Sequence, residues 1–351
     1  MITQDIVKQN VVKQTTHQRI VVALHGGPEV LQAIEEPIPE PRVGEARVRV
    51  LAAGVSAYDL MLRSSGLLPG APKPPFTLGE DFVGIVDKLG EDVSTVELGQ
   101  RVAAFTFGES GGYAEFVCRP ADELVPVPEG VDAAEAVCMV ANYLTAHLAM
   151  HHTAKAQHGE RILVQGAAGG VGSALLELGG LAGLEIYGTA SSYNHEHVAA
   201  LGATPIDYRN EDVVKRIHGL TKGGVDIVFD PIGGIQQLWR SHNALNKNGR
   251  LVWFGVAATK RSGLKIIPLT LGMVALLKLK PGGRQLLLTP DLAADKVWYR
   301  QTLTELLDLL ANGKLKPLVA ERIPLAEAAR AHEVLERGGY AGKIVLVTET
   351  D

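Results

Sequence analysis

Arg161-Ile162-Leu163-Val164-Gln165-Gly166-Ala167-Ala168-Gly169-Gly170-Val171-Gly172-Ser173-Ala174-Leu175-Leu176 is the stretch on which the reading of this chain turns. The apolar run 162–164 predicts a buried parallel strand, small residues end it, and an apolar helical pattern follows at once. Strand, glycine turn and helix make the first unit of a dinucleotide-binding fold. The residue types answer a chemical need. Backbone N–H groups at the helix start must approach a pyrophosphate closely, which a Cβ would obstruct, and the helix dipole adds partial positive charge there. Ala167, Gly169 and Gly172 stand at the three positions of G-x-G-x-x-G, so the first is an alanine. A glycine-bearing strand–helix turn without a ligand is the plain alternative. Its neighbours argue against it: runs at 184–190, 225–230 and 249–255 predict further strands at helix-sized intervals.

Upstream the pattern changes. Residues 19–27 and 29–36 alternate apolar and polar, which predicts an opening hairpin around Gly26-Gly27-Pro28. Pro37, Pro39 and Pro41 exclude helix and central strand there. Residues 47–55 predict a strand charged on one face, 59–63 a short helix, and 69–75 a proline-rich loop. Strands at 78–86, after a turn, at 99–105 and at 113–117 complete a β-rich region up to about residue 130. Asp132 is placed as an N-cap, and 139–151 predicts a second helix. Downstream of the glycine loop, 299–310 and 324–336 read as amphipathic helices. A strand at 342–347 closes the chain and is expected to return to the first domain. The division expected is a loose tail at 1–18, a β-rich domain from 19–141 with 317–351, and a nucleotide domain at 142–316.

A chain of 351 residues suits two domains, and 46% apolar residues suffice for packed cores. The net charge of −5, without a basic cluster, argues against a nucleic-acid partner. Cys118 and Cys138 have neither metal-ligand nor framework spacing, which fits a reducing, cytoplasmic setting. Residues 1–18 lack the apolar core of a secretory signal. The apolar segment 264–279 is interrupted by Pro268 and flanked by lysines, and it falls short of the roughly 20 residues a membrane span needs. It reads as a buried or dimer-facing helix, the alternative being a surface for lipid or a hydrophobic substrate. His147 and His151 have i, i+4 ligand spacing but no evident third ligand, and read as a helix surface.

NAD sites carry Asp or Glu near the end of the second strand, where it binds the ribose hydroxyls. Here that strand ends Gly188-Thr189-Ala190-Ser191-Ser192-Tyr193. No carboxylate would repel a 2′-phosphate, and the hydroxyls of Ser191 and Ser192 would donate to one. NADPH is therefore expected over NADH.

In its order of elements the chain resembles the medium-chain dehydrogenase/reductase superfamily, within it the zinc-free quinone oxidoreductase branch, and most closely that branch's synaptic-vesicle-type relatives. The resemblance runs from about residue 19 to 348. It rests on Ala52-Ala53-Gly54-Val55-Ser56, on 78–86, on Gly99-Gln100-Arg101-Val102, on 166–172, on 225–234 and on Gly342-Lys343; Tyr58-Asp59-Leu60-Met61 and Asn142-Tyr143-Leu144-Thr145-Ala146 narrow it to the vesicle-type relatives. It implies an α/β protein: a β-rich GroES-like catalytic domain beside a doubly wound Rossmann domain. Zinc enzymes of the superfamily place ligands where this chain has Ser56, Glu80 and Ala141, a set that cannot build a three-ligand site, so no metal is expected.

The implied cofactor set is Gly166, Ala167, Ala168, Gly169, Gly170, Val171, Gly172, Ser191, Ser192, His195, Tyr208, Phe254, Gly255 and Lys343. Without a Lewis acid, alcohol oxidation is disfavoured. Hydride delivery from NADPH to a quinone or an α,β-unsaturated carbonyl remains, aided by a donor to the carbonyl oxygen from Ser56, Tyr58, Asn142 or Thr145. Asp59 and Asp81 are expected to hold loops, and Glu80 to need a partner such as Arg63. An enoyl reductase for acyl chains and a non-catalytic NADPH-binding protein are the alternatives. A homodimer is expected, with an edge strand near 251–255 as its interface.

Overall fold

The computed structural model describes residues 15–66, 71–107, 111–255, 266–279, 283–290, 292 and 295–348. Strand β1 (Thr16–Val22) pairs antiparallel with β2 (Leu31–Pro37), as the alternation predicts. The hairpin starts earlier than expected, because His17 is buried beneath it; residues 1–14 of the expected tail lie outside the described residues. Strand β3 (Glu45–Val55) is the axis of the first domain. On it pair β5 (Asp81–Leu89) and β7 (Phe116–Pro120), and the sheet continues through β6 (Arg101–Phe105) to β8 (Val125–Pro126). The two-residue strand β4 (Phe76–Thr77) joins β1 in a separate three-stranded sheet. The strand expected at 113–117 lies at 116–120. Gly112 and Tyr113 are held instead against the 78–79 turn, through Gly112 N–H to the Gly79 carbonyl (2.9 Å) and Tyr113 N–H to the Leu78 carbonyl (3.0 Å).

Helix α1 (Ala57–Ser64) follows β3 directly. From Asp132, whose carboxylate accepts from Glu135 N–H at 2.9 Å, a continuous helical segment runs over 133–153. In it, α2 (Ala133–Cys138) and α3 (Leu144–His147) alternate with π-helical turns at Met139–Tyr143 and Leu148–Thr153.

The second domain is a six-stranded parallel sheet. In chain order its strands are β9 (Arg161–Val164), β10 (Glu185–Ala190), β11 (Thr204–Asp207), β12 (Val225–Asp230), β13 (Leu245–Trp253) and β14 (Gln285–Leu288). Spatially they run β11-β10-β9-β12-β13-β14. The order reverses between β9 and β12, and that switch point opens a crevice at the carboxyl ends of the strands. Helices α4 (Gly170–Leu181), α5 (His195–Ala200), α6 (Val213–Thr221) and α7 (Ile235–Ala244) connect them. Strands β11 and β14 are absent from the sequence reading. Both have four residues, too few for a periodic signal, and β11 contains Pro205. They also overturn the expected edge at 251–255, because β13 is paired on both sides and β14 is the outer strand.

Helix Ile266–Leu279 packs on α7 and β14 through Val274 and Leu277, while Leu269, Leu271 and Leu276 stay more than half exposed. Residues 264 and 265 of the apolar segment lie outside the described residues. No described helix is long and apolar enough to cross a membrane.

The chain then returns. After helix Lys296–Ala311 come β15 (Val319–Pro324), helix Ala328–Arg337 and β16 (Lys343–Val347). Strand β16 lies antiparallel to β3, Val345 opposite Gly54, and so closes the first domain's sheet. Two features tie the halves together. Gly342 N–H donates to the Ala168 carbonyl at 2.9 Å, and Tyr299 Oη accepts from Phe105 N–H (3.0 Å) while donating to the Glu123 carbonyl (2.9 Å). Tyr299, Val164, Ala167 and Val345 belong to one apolar core that crosses the boundary.

Candidate active site

The glycine loop is built for close approach. Gly166 adopts φ +65°, and its N–H donates to Thr189 Oγ1 at 3.0 Å while Ala167 N–H donates to the Thr189 carbonyl at 2.9 Å, which ties the loop to β10. A Cβ on Gly172 would lie 2.3 Å from the Gly166 carbonyl oxygen, so the third glycine is required for helix–loop packing. The alanine at the first position is accommodated from below. Ala167 is fully buried, and a Cβ on Gly188 would come within 2.7 Å of its methyl, so Gly188 supplies the room. Helix α4 starts at an extended Gly169, and no side chain caps it. Its first-turn N–H groups, at Gly170, Val171 and Gly172, lack the i−4 carbonyls a helix interior would supply. The Asn142 amide lies over Gly170, where a Cβ would meet its Nδ2 at 2.1 Å.

At the far end of β10, Ser191 is buried and donates to Tyr208 Oη at 3.3 Å, while Ser192 is exposed. His195, at the start of α5, has a buried Nε2 without a hydrogen-bond partner. The structure adds a cation here. The Arg209 guanidinium lies 5.7 Å from the Tyr193 ring centre and 5.8 Å from that of Tyr208, and its Nε donates to Tyr208 Oη at 3.4 Å. The sequence reading looked for a basic side chain near 195; Arg209, immediately after Tyr208, was the available signal. The nearby carboxylate, Asp207, turns into its own loop, accepting from Arg209 N–H (2.9 Å) and Asn210 Nδ2 (2.8 Å), and these bonds hold it below the usual carboxylate range. Across the crevice, Phe254 N–H donates to the Asp230 carbonyl at 3.2 Å. A Cβ on Gly255 would meet the Pro231 carbonyl oxygen at 2.5 Å.

The first domain supplies a polar floor. At the start of α1, Ser56 and Asp59 form a reciprocal capping box: Ser56 Oγ accepts from Asp59 N–H at 3.2 Å, and Asp59 accepts from Ser56 N–H at 2.8 Å. The Ser56 hydroxyl also donates to Asp59 at 2.8 Å, and Gly79 N–H donates to the other carboxylate oxygen at 3.0 Å. Asp81 accepts from Lys343 Nζ at 2.7 Å and from Ala141 N–H at 3.3 Å. Glu80 lies beside these groups, half-buried and facing Asp59, Asp81 and Lys343.

Burial, followed by the neighbouring Asp59 and Asp81 charges, raises the Glu80 carboxyl to about 8. Burial raises Asp59 to about 6, against the pull of its hydrogen bonds from Ser56 and Gly79. Burial depresses the Lys343 ammonium, but Asp81, Cys138 and Glu80 outweigh it and the net shift is upward.

Several expected roles change on this geometry. The Ser56 hydroxyl is committed to Asp59 rather than free for a substrate oxygen. The Thr145 hydroxyl is committed to the Ala141 carbonyl at 2.6 Å, inside its helix. Lys343 is 3% exposed and is the counter-ion of Asp81, not an available cofactor ligand. Arg63 does not pair with Glu80; it bonds Glu336, His332 Nδ1 (3.1 Å) and the Gly26 carbonyl (3.2 Å). Tyr58 is 40% exposed on α1, and Asn142 lies against the loop at Gly170. Among the described residues, no three His, Cys, Asp or Glu side chains are grouped to hold a metal ion.

Residues 42–129 match the family model of the alcohol dehydrogenase GroES-like domain, and 201–346 that of the zinc-binding dehydrogenases. A quinone oxidoreductase of Pseudomonas aeruginosa is 34% identical over 337 residues, covering 94% of this chain and 99% of that protein. The synaptic vesicle membrane protein VAT-1 homolog of Danio rerio is 31% identical over 345 residues, covering 95% of this chain and 70% of that one. The crystal structure of Escherichia coli quinone oxidoreductase complexed with NADPH superposes with a TM-score of 0.84 at 30% identity, over 94% of this chain and 99% of that one.

Proposed function

The chain belongs to the medium-chain dehydrogenase/reductase superfamily, in its quinone oxidoreductase branch, and on that footing we propose that it is a zinc-independent, NADPH-dependent reductase of quinones or α,β-unsaturated carbonyls. The observation that carries this reading is the pairing of an uncapped α4 N-terminus with a cationic site at the end of β10, where Asp207 is turned into its own loop. On this reading the pyrophosphate lies at Gly169–Gly172 and the adenosine ribose at Ser191, Ser192, Tyr208 and Arg209. The orphaned Nε2 of His195 fits such a ligand.

NADPH would supply the hydride. The chain's own part is to orient the acceptor between the loop and the polar floor, with Tyr58 and Asn142 as donors to its carbonyl oxygen. Zinc-independence is supported by the donor set: Ser56 is spent as an N-cap, Ala141 has no ligand atom, and Glu80 alone cannot make a three-ligand site. The working division assigns 19–141 with 317–351 to the catalytic domain and 142–316 to the cofactor domain. A second copy, if it assembles, would meet the outer strand β14.

The test is steady-state oxidation of NADPH and of NADH with 9,10-phenanthrenequinone, 1,4-benzoquinone and a small enone, under a chelator. Turnover that prefers NADPH and survives chelation is expected. Arg209→Ala should raise KM for NADPH about tenfold, roughly the value of one charge-assisted contact, and leave KM for NADH unchanged. Loss of activity on chelation would overturn zinc-independence, and tight NADPH binding without turnover across the panel would favour a non-catalytic protein.

A further inference from the structure

We propose that Asn142 is a cofactor-binding residue, its carboxamide donating to the dinucleotide's pyrophosphate beside the α4 N-terminus, and that residue 170 is glycine to make room for it. The proposal deepens the cofactor reading above and rests on it. In the π-helical turn Met139–Tyr143 every residue is buried except Asn142. Single π-turns inside helices occur often at functional sites.

The turn is fastened on both sides of Asn142. Ala141 N–H donates to Asp81 of the first domain at 3.3 Å, and Thr145 Oγ1 donates to the Ala141 carbonyl at 2.6 Å. Tyr143 O–H donates to Glu177 on α4, which also takes Lys316 N–H at 3.0 Å. These bonds hold the turn against α4. Among the described residues the Asn142 carboxamide itself has no hydrogen-bond partner. A half-buried amide without a partner costs stability unless a ligand supplies one.

Gly170 fixes where that amide stands. A Cβ at Gly170 would lie 2.1 Å from Asn142 Nδ2 and 2.9 Å from its Cγ, so the carboxamide fills the space a side chain there would take. Cα–Cβ bonds in a helix tilt toward its N-terminus, and Gly170 is the first residue of α4. The amide nitrogen therefore stands at the end where the first-turn N–H groups lie. In the pattern Ala167-x-Gly169-x-x-Gly172, residue 170 is at an x position, and its backbone is helical. Neither the motif nor the local conformation requires glycine there; the Asn142 carboxamide does.

The chemistry suits a phosphate. Its oxygens only accept, and Nδ2 only donates. A bond from an N–H to an ionised oxygen is stronger than one between neutral groups, and the helix end acts on the same anion. The amide carries two N–H groups, so one serves the pyrophosphate and the other stays for the acceptor.

The test measures three probes by calorimetry on the full chain. NADPH is the first. The second is 2′-phospho-ADP-ribose, which keeps the pyrophosphate and lacks nicotinamide. The third is 2′-AMP, which lacks the pyrophosphate. Asn142→Ala should weaken the first two about tenfold, roughly one hydrogen bond to a charged group, and leave 2′-AMP unchanged. Asn142→Asp keeps the shape and puts a carboxylate in the amide's place. It should weaken the same two about a hundredfold, which a packing role would not produce.

Gly170→Ala sets a methyl where the carboxamide lies. The atoms it displaces end a flexible side chain, and alanine favours the helix, so this variant should fold. It should lose the same factor of about ten, and the double variant should be no weaker than either single one, because both remove one contact.

Wild-type NADPH affinity in Asn142→Ala overturns the proposal; if that variant does not fold, wild-type affinity in Gly170→Ala does so. A loss confined to NADPH also overturns it, by putting the carboxamide on the nicotinamide. Losses that multiply in the double variant overturn it too, since the methyl itself would then obstruct the phosphate. A wild type that binds neither NADPH nor 2′-phospho-ADP-ribose overturns the cofactor reading, and the proposal falls with it.

Discussion

Two helix N-termini belong to the cleft's two walls, and they are opposites. At α1, Ser56 and Asp59 satisfy each other's backbone N–H groups, and Asp59 also takes the Gly79 N–H. At α4, Gly169 brings no side chain, and no side chain caps the first-turn N–H groups. Both ends carry the same dipole and the same orphan donors. What differs is whether the protein satisfies them itself. A capped end is structure; an uncapped end beside a glycine turn is a place for an anion.

The contrast can be broken at either end. Gly172→Val has the largest expected effect. Its Cβ would fall 2.3 Å from the Gly166 carbonyl oxygen, so loop and helix must separate. A stability loss of about 1–3 kcal/mol and at least a hundredfold weaker NADPH binding are expected, measured by urea unfolding and by fluorescence titration. Unchanged affinity would mean that the α4 end is not the phosphate site.

Gly169→Asp sharpens the comparison by giving α4 the cap that α1 has. The backbone at 169 is extended, and a Cβ there meets only the Gly166 carbonyl oxygen at 3.4 Å. The ligand-free protein should gain about 1 kcal/mol, while NADPH affinity falls more than tenfold as a carboxylate occupies the anion's place. Calorimetry with and without NADPH reads both, and a gain in both would refute the trade.

The smallest effect is expected from Ser56→Ala, which opens the α1 box. Stability should drop by about 1 kcal/mol with NADPH affinity unchanged. A weakened affinity would show that the two walls are not independent.

Much of this was legible in sequence because it is local. The glycine loop, the strands that flank it, the Asp132 cap and the closing strand rest on patterns a few residues long. The empty cap at Gly169 and the carboxylate-free end of β10 read directly from residue types. Short edge strands escaped, since β11 and β14 are stabilised by neighbours rather than by their own four-residue patterns. Arg209 escaped because its value comes from stacking between Tyr193 and Tyr208, which a linear reading separates.

The floor of the cleft was beyond reach for a stronger reason. Glu80 was visible as an odd residue at a ligand position, but its partner was sought in Arg63. Folding brings His332, 269 residues away, to Arg63, and Lys343, 262 residues away, to Asp81. The return of β16 to β3 creates both arrangements at once. The amino-acid sequence by itself determined the nucleotide loop and the two-domain order, because these follow from residue type at short spacing. Only the tertiary structure decided which hydroxyls are spent and which cation faces which carboxylate. Those depend on burial and on distances between residues far apart in the chain, and neither exists until the sheet has closed.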